Sequence, residues 1–376
     1  MKPSLKIIVI GLPILFSMDL ILAAKPEAPV VHAEPALKDV FKKHFLIGMS
    51  ADHPQQRRAS LLRHHANAIT PENGMKFYSL RPSPDVWNWE KADRTVDFAT
   101  ANDLKIVGHT LVWCYRMSPW VNERIASGEL DKAAALALQD EHIRQVVGRY
   151  KDRVKTWDVV NEALADGPGP EFLRSDPWSD LCGVEYVVEA FQSARRADPE
   201  AKLLYNDYNL EFPDKRARLL RLLALLEERG VRVDGVGIQG HMQLSRLRLA
   251  ELEAAIVEIH AAGYPVHLTE LDIDVYSRGE GADVQRIETG GDAGYAELPE
   301  ELQTQLAAGY GALFRLLVKH ADKVERVTFW NVDDGSSWLN NWPVKGRENH
   351  PLLFDRAQQP KPAFWEVIRV AKEPIP

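Results

Sequence analysis

The stretch "KTWDVVNEALADG", residues 155–167, starts as a buried strand and ends on a polar pair, Asn161-Glu162. Trp157, Val159 and Val160 give it the apolar body of a strand covered on both faces. A carboxylate at the exit of such a strand is costly unless it is hydrogen-bonded, paired or put to use. Seven more short apolar, β-branched runs lie along the chain: "FLIGM" (45–49), "ANAIT" (66–70), "KIVGHTLVW" (105–113), "KLLYN" (202–206), "GVGIQ" (235–239), "PVHLTEL" (265–271) and "RVTFWNV" (326–332). Amphipathic segments with helical periodicity fall between them, among them 132–150, 214–230 and 249–263, the last two stopping on Gly230 and Gly263. Strand–helix alternation demands parallel strands with crossover helices, and eight repeats predict an α/β fold, the (β/α)8 TIM barrel. The rival, an open doubly wound sheet, lacks its glycine fingerprint after the first strand.

The chain has 376 residues, 45% of them hydrophobic and 27% charged, and a formal charge of -8. That composition is globular, and no basic face is present, so nucleic acid is not an expected partner. Lys2 and Lys6 precede an apolar stretch, Ile7 to Met18, with small residues at Ala23-Ala24 and at Ala33. Residues 1–33 are therefore expected to be a signal peptide, cleaved near 24 or 33. Pro13 and Asp19 keep the apolar run short of the ~20 residues a membrane span needs. The expected location is secreted or periplasmic, without stable membrane association after cleavage. Residues 34–376 form the expected barrel, a single catalytic domain acting as a monomer. The polar, Gly-rich stretch 276–298 reads either as a flap beside the site or as a solvated insertion.

Cys114 and Cys182 are the only cysteines; they could pair in an exported protein but form no disulfide framework. No Cys/His cluster shows metal-ligand spacing, so neither metal nor cofactor is expected.

Active sites of (β/α)8 barrels sit where the strands end at their C-terminal face. Glu162 leaves strand four and Glu270, in "VHLTELDIDV", leaves strand seven, so both can reach one mouth. Two carboxyl groups about 5 Å apart cleave glycosides, one attacking the anomeric carbon while the other protonates the leaving oxygen. Asn161 suits a hydrogen bond to the 2-hydroxyl of the bound sugar. Gln239 and His241 end strand six, and a His between Asp272 and Glu270 would keep a nucleophile ionised and oriented. Trp113, Tyr208, Trp330 and Trp338 fall at or just after strand ends, where a glycan groove needs aromatic platforms.

With these residues in place the sequence resembles glycoside hydrolase family 10, the retaining endo-β-1,4-xylanases. "TPENGMKF" (70–77), "GHTLVW" (108–113), "WDVVNEAL" (157–164), "YNDYN" (205–209), "GIQGH" (237–241), "TELD" (269–272) and "WNVDDGSSW" (330–338) resemble that family's blocks in order, followed by "PLLFD" and "KPAF". The resemblance spans about residues 40 to 370. It implies hydrolysis of internal β-1,4-xylosidic bonds in xylan or xylo-oligosaccharides, with Glu162 as acid/base and Glu270 as nucleophile. It also implies that Glu72, Asn73 and Lys76 hold sugars on the non-reducing side. His109, Asn161 and Gln239 would line the reacting subsite over Trp113, Trp330 and Trp338 would close it, and Tyr208 would meet the leaving sugar.

Three positions depart from the family pattern: Arg116 where Gln is usual, Asn331 where Gly is usual, and Gly74 where Glu is common. Arg116 brings a fixed charge and a rigid donor fork, which favours acidic decorations on the substrate. A related glucanase or exo-acting enzyme, and a non-catalytic glycan-binding barrel, are the alternative readings. The last would lack one carboxylate.

Overall fold

Eight parallel strands close into a barrel in the computed structural model, which describes residues 32–276 and 294–374. They are β1 (Leu46–Ser50), β2 (Ala68–Thr70), β3 (Lys105–Trp113), β4 (Val154–Asn161), β5 (Lys202–Asp207), β6 (Gly235–Ile238), β7 (Val266–Asp274) and β8 (Val324–Phe329). Each strand pairs with its sequence neighbours, β6 pairs with β7, and β8 returns to β1, so no edge is left open. The helices Lys132–Tyr150, Pro213–Glu228 and Leu249–Ala261 occupy the segments that helical periodicity marks. Gly230 and Gly263 follow the last two at φ 69° and 96°, a left-handed turn that glycine makes without steric cost. Asp131 caps the first of these helices, its Oδ1 accepting from the Ala134 N–H at 2.8 Å.

Burial on both faces explains the apolar runs: every residue of β7 is buried, as is all of β3 except Lys105 and Trp113 and all of β4 except Lys155 and Thr156. Close approach is purchased at Gly108, where an added Cβ would sit 2.0 Å from the Trp157 ring on the neighbouring strand. Two strand ends differ from the sequence reading. β7 continues past Leu271 to Asp274, with a register shift between Leu268 and Leu271 that re-aims the side chains there. β8 stops at Phe329, so Trp330 already belongs to the loop.

The proposed signal segment lies outside the described residues up to position 31, as do positions 277–293 of the Gly-rich stretch. No helix among the described residues is long and apolar enough to cross a membrane. Both thiols are free, Cys182 buried and Cys114 half-buried. One cluster with ligand-like spacing escaped the sequence: His32, Glu34 and His65 bring ligand atoms within 4.8 Å of one another. Their separation in the chain hides it. Nδ1 of His65 accepts from the Leu37 N–H at 3.4 Å, which leaves its proton on Nε2, 3.2 Å from Glu34 Oε1. Hydrogen bonds thus satisfy the group without an ion.

Candidate active site

Glu162 is the first residue after β4, and its backbone is strained, with φ at 62°. A bulky L-residue enters the left-handed region only when its surroundings dictate it. Here the Glu162 N–H donates to the Asn206 carbonyl at 2.9 Å, and Arg174 Nε donates to the Glu162 carbonyl at 3.2 Å. The side chain is thereby turned into the barrel mouth. Trp113 Nε1 donates to Glu162 Oε2 at 2.9 Å and Gln239 Nε2 to Oε1 at 2.8 Å.

Glu270 does not leave its strand; it lies within β7 at the register shift. Asn206 Nδ2 donates to Glu270 Oε1 and to Asn161 Oδ1, each at 2.8 Å, while Asn161 Nδ2 reaches Glu162 Oε1 at 3.3 Å. Two amides therefore bridge the two carboxylates. Behind Glu270, His241 Nε2 lies 3.3 Å from Glu270 Oε2, and its Nδ1 is 3.0 Å from Asp272 Oδ2. Trp338 Nε1 completes the chain by donating to Asp272 at 2.7 Å.

The two acids are driven apart in proton affinity. Burial raises Glu162, and the nearby charges of Asp207 and Glu270 add to it. Burial also pushes Glu270 upward, but the His241 hydrogen bond and the fields of His109, His241 and Lys76 overcome it, holding Glu270 below the usual carboxylate range. Burial works against the His241 cation, yet Asp272 and Glu270 raise it to about 10. A carboxyl of raised proton affinity thus faces one of lowered affinity across a shared amide bridge.

The carboxylates open into a cleft of ≈ 460 Å³. All the expected site residues line it except Asn161 and Asp272, which stand behind it. Glu72 is held by Asn331 Nδ2 at 2.8 Å, and Lys76 Nζ donates to Asn73 Oδ1 at 3.1 Å while lying 4.8 Å from the Trp113 ring centre. His109 Nδ1 meets Asp158 at 2.9 Å, and its buried Nε2 has no partner among the described residues, which leaves it to meet a sugar hydroxyl. Trp330 packs edge-on against His109. The Tyr208 hydroxyl is already engaged, accepting from Arg174 and donating to Asp166.

Sequence reasoning missed Asn206, Asp207, Asp158 and Arg174. Asn206 and Asp207 sat inside the quoted "YNDYN" block, and their place on β5 beside Glu162 was the available signal. Arg174 sits in a loop and carries no sequence signal. Asn331 stands at φ 85°, where glycine is unstrained and Asn is tolerated. Its side chain repays the departure by holding Glu72 and accepting the Trp338 N–H at 3.0 Å. Arg116 lines the cleft with its guanidinium 5.4 Å from the Trp113 ring centre.

Gly237 sets the bridge, because a Cβ there would sit 2.2 Å from Asn206 Oδ1. Gly237→Ala is expected to displace Asn206 and cut kcat on the order of 10²-fold, the scale of an ångström misplacement in a reacting constellation. Steady-state kinetics together with a melting curve check this; an unchanged kcat in a folded variant would remove Asn206 from the positioning network.

Paired glutamates of opposite proton affinity at the strand ends of a (β/α)8 barrel, flanked by indole rings, define a glycoside hydrolase site. The family profile described as "Glycosyl hydrolase family 10" matches residues 36–370. A curated relative, "Beta-1,4-xylanase" of Dictyoglomus thermophilum, is 43% identical over 337 residues, covering 89% of this chain and 91% of its own. A solved GH10 endoxylanase retrieved from sugarcane soil metagenome superposes with a TM-score of 0.83 at 37% identity, covering 89% of this chain and all of that one. A mutant structure in complex with xylotriose is similar, with a TM-score of 0.81 at 34% identity and coverage of 89% and 99%. The chain belongs to glycosyl hydrolase family 10.

Proposed function

We propose that this enzyme hydrolyses internal β-1,4-xylosidic bonds of xylan by double displacement with retention. The carrying observation is the Glu162–Glu270 pair, bridged by Asn161 and Asn206 and split in proton affinity. Ionised Glu270 attacks the anomeric carbon as Glu162 gives its proton to the departing glycosidic oxygen. The glycosyl ester formed on Glu270 cancels that residue's charge, and Glu162 loses one of the fields that raised it. Glu162, now the base, takes a proton from water, which attacks the same carbon and frees Glu270. The xylan-cleaving names of the relatives, and the xylotriose held by one of them, support the substrate class. Parallel digestion of xylan, β-glucan and mannan checks it: xylan is expected to be cut fastest, releasing a ladder of internal fragments. Faster cleavage of β-glucan would reassign the substrate.

The proton affinities set the pH profile. Activity fails as pH falls through the lowered Glu270 pKa and as pH rises through the raised Glu162 pKa. Asp207→Asn removes a field that raises Glu162, so the alkaline limb of kcat/KM is expected to move to lower pH. A limb that stays put, or moves up, would dissociate it from Glu162.

Arg116 offers its fork at the cleft wall. Arg116→Gln is expected to lower the rate on uronate-decorated xylan relative to bare xylan by several-fold. An unchanged ratio would free Arg116 from any part in specificity.

A further inference from the structure

A second cleft, of ≈ 820 Å³, opens at the opposite end of the barrel, where the strands begin. Lys105, Lys155, Lys202, His267 and Arg326 all contribute to its wall. Arg326 on β8 and His267 on β7 are cross-strand partners, only 4% and 2% exposed. Arg326 spends Nε on Thr328 Oγ1 at 3.0 Å, on the same face of the strand. Among the described residues its terminal nitrogens have no hydrogen-bond partner, and no carboxylate lies within 4.0 Å of the guanidinium. Both ring nitrogens of His267 also lack a hydrogen-bond partner. The carboxylate that approaches them, Glu325, stays 3.8 Å away and is tied to Lys202 at 2.7 Å.

The fields of Asp158 and Glu325 reach Arg326 from beyond 4.0 Å, but a buried guanidinium with no counterion in contact is still an expensive arrangement. Water entering the cleft would satisfy its N–H groups but leave its charge offset only by the more distant Asp158 and Glu325. An oxyanion would do both, since two parallel N–H groups of a guanidinium fit two oxygens of one anion. The rim carries Lys105, Arg153, Lys155 and Lys202 against Asp103, Glu200 and Glu325, so with Arg326 the basic groups outnumber the acidic ones around the cleft.

We infer that the N-terminal end of the barrel holds a small tetrahedral oxyanion of the phosphate or sulfate class, gripped by the fork of Arg326 and a ring N–H of His267. The anion offsets the charge of the buried Arg326 and braces the starts of β7 and β8. Its site lies at the stability face of the barrel, remote from the carboxylates, and stands independently of the catalytic assignment.

Melting of the whole chain is compared in inorganic phosphate, sulfate and chloride at matched pH and ionic strength. Phosphate or sulfate is expected to raise Tm by about 2 °C or more over chloride, saturating with concentration as a single site does. Arg326→Met deletes the cation, so it is expected to melt no lower than the parent in chloride, lose the phosphate shift and keep its hydrolytic rate. His267→Leu, which removes a ring without partners, is the second variant and is expected to lose at least about half of the shift. Equal melting in phosphate, sulfate and chloride overturns the site, as does a phosphate shift that survives both substitutions.

Discussion

Glu270→Ala is expected to lower turnover of xylan by about five to six orders of magnitude, the scale on which loss of a covalent nucleophile is felt. Nothing beside it can replace its oxygen. Glu162 is held by Trp113 and Gln239, and the Asp272 carboxylate is committed to His241 and Trp338. The deletion leaves a gap where the carboxylate stood, and azide, a small anion, can enter it on an activated xylosyl fluoride. Attack from that side would give a glycosyl azide of inverted configuration. Recovery of the rate with inverted product supports Glu270 as the nucleophile. Retained configuration would pass the role to another group.

Glu162→Ala is the second large effect, and its size depends on the leaving group. A xylan leaving group needs a proton, so its departure is expected to slow by roughly 10²–10⁴-fold, the worth of general acid catalysis. An aryl xyloside with a strongly acidic phenol needs none. Its first step is expected to survive nearly intact, leaving slow hydrolysis of the glycosyl-enzyme as the limiting step, visible as a burst of phenol and a lowered KM. The raised proton affinity of Glu162, set first by burial and then by Asp207, keeps this acid protonated to higher pH than an ordinary glutamate. Uniform loss across leaving groups would contradict the acid role.

Much of this was legible before any coordinates. Eight buried runs with intervening helices point to a closed parallel barrel, since strands covered on both faces need crossover helices and the glycine fingerprint of the open doubly wound sheet is missing. Glu162 and Glu270 could be singled out because a carboxylate beside a buried strand is costly, and the aromatic residues because they fall at strand ends. What stayed hidden depends on contacts rather than composition. The left-handed backbone at Glu162 has no signature in a non-glycine residue. Gly237 looks like any strand glycine until Asn206 is seen crossing it. Arg174 reaches the Glu162 carbonyl from twelve residues along the chain, through a loop without periodicity. The register shift that keeps Glu270 inside β7 follows from pairing with β8, which no single strand encodes. The same limit applies to Arg326, whose meaning lies in terminal nitrogens left without a contact partner among the described residues.

Retention requires Glu270 and then a water activated by Glu162 to attack opposite faces of one sugar carbon in succession. Proton NMR of a xylo-oligosaccharide digest, read within the first turnovers before mutarotation, tests that directly. Two inversions predict that the β-anomer of the newly formed reducing end appears first; initial appearance of the α-anomer would mean a single displacement by water and would contradict the account.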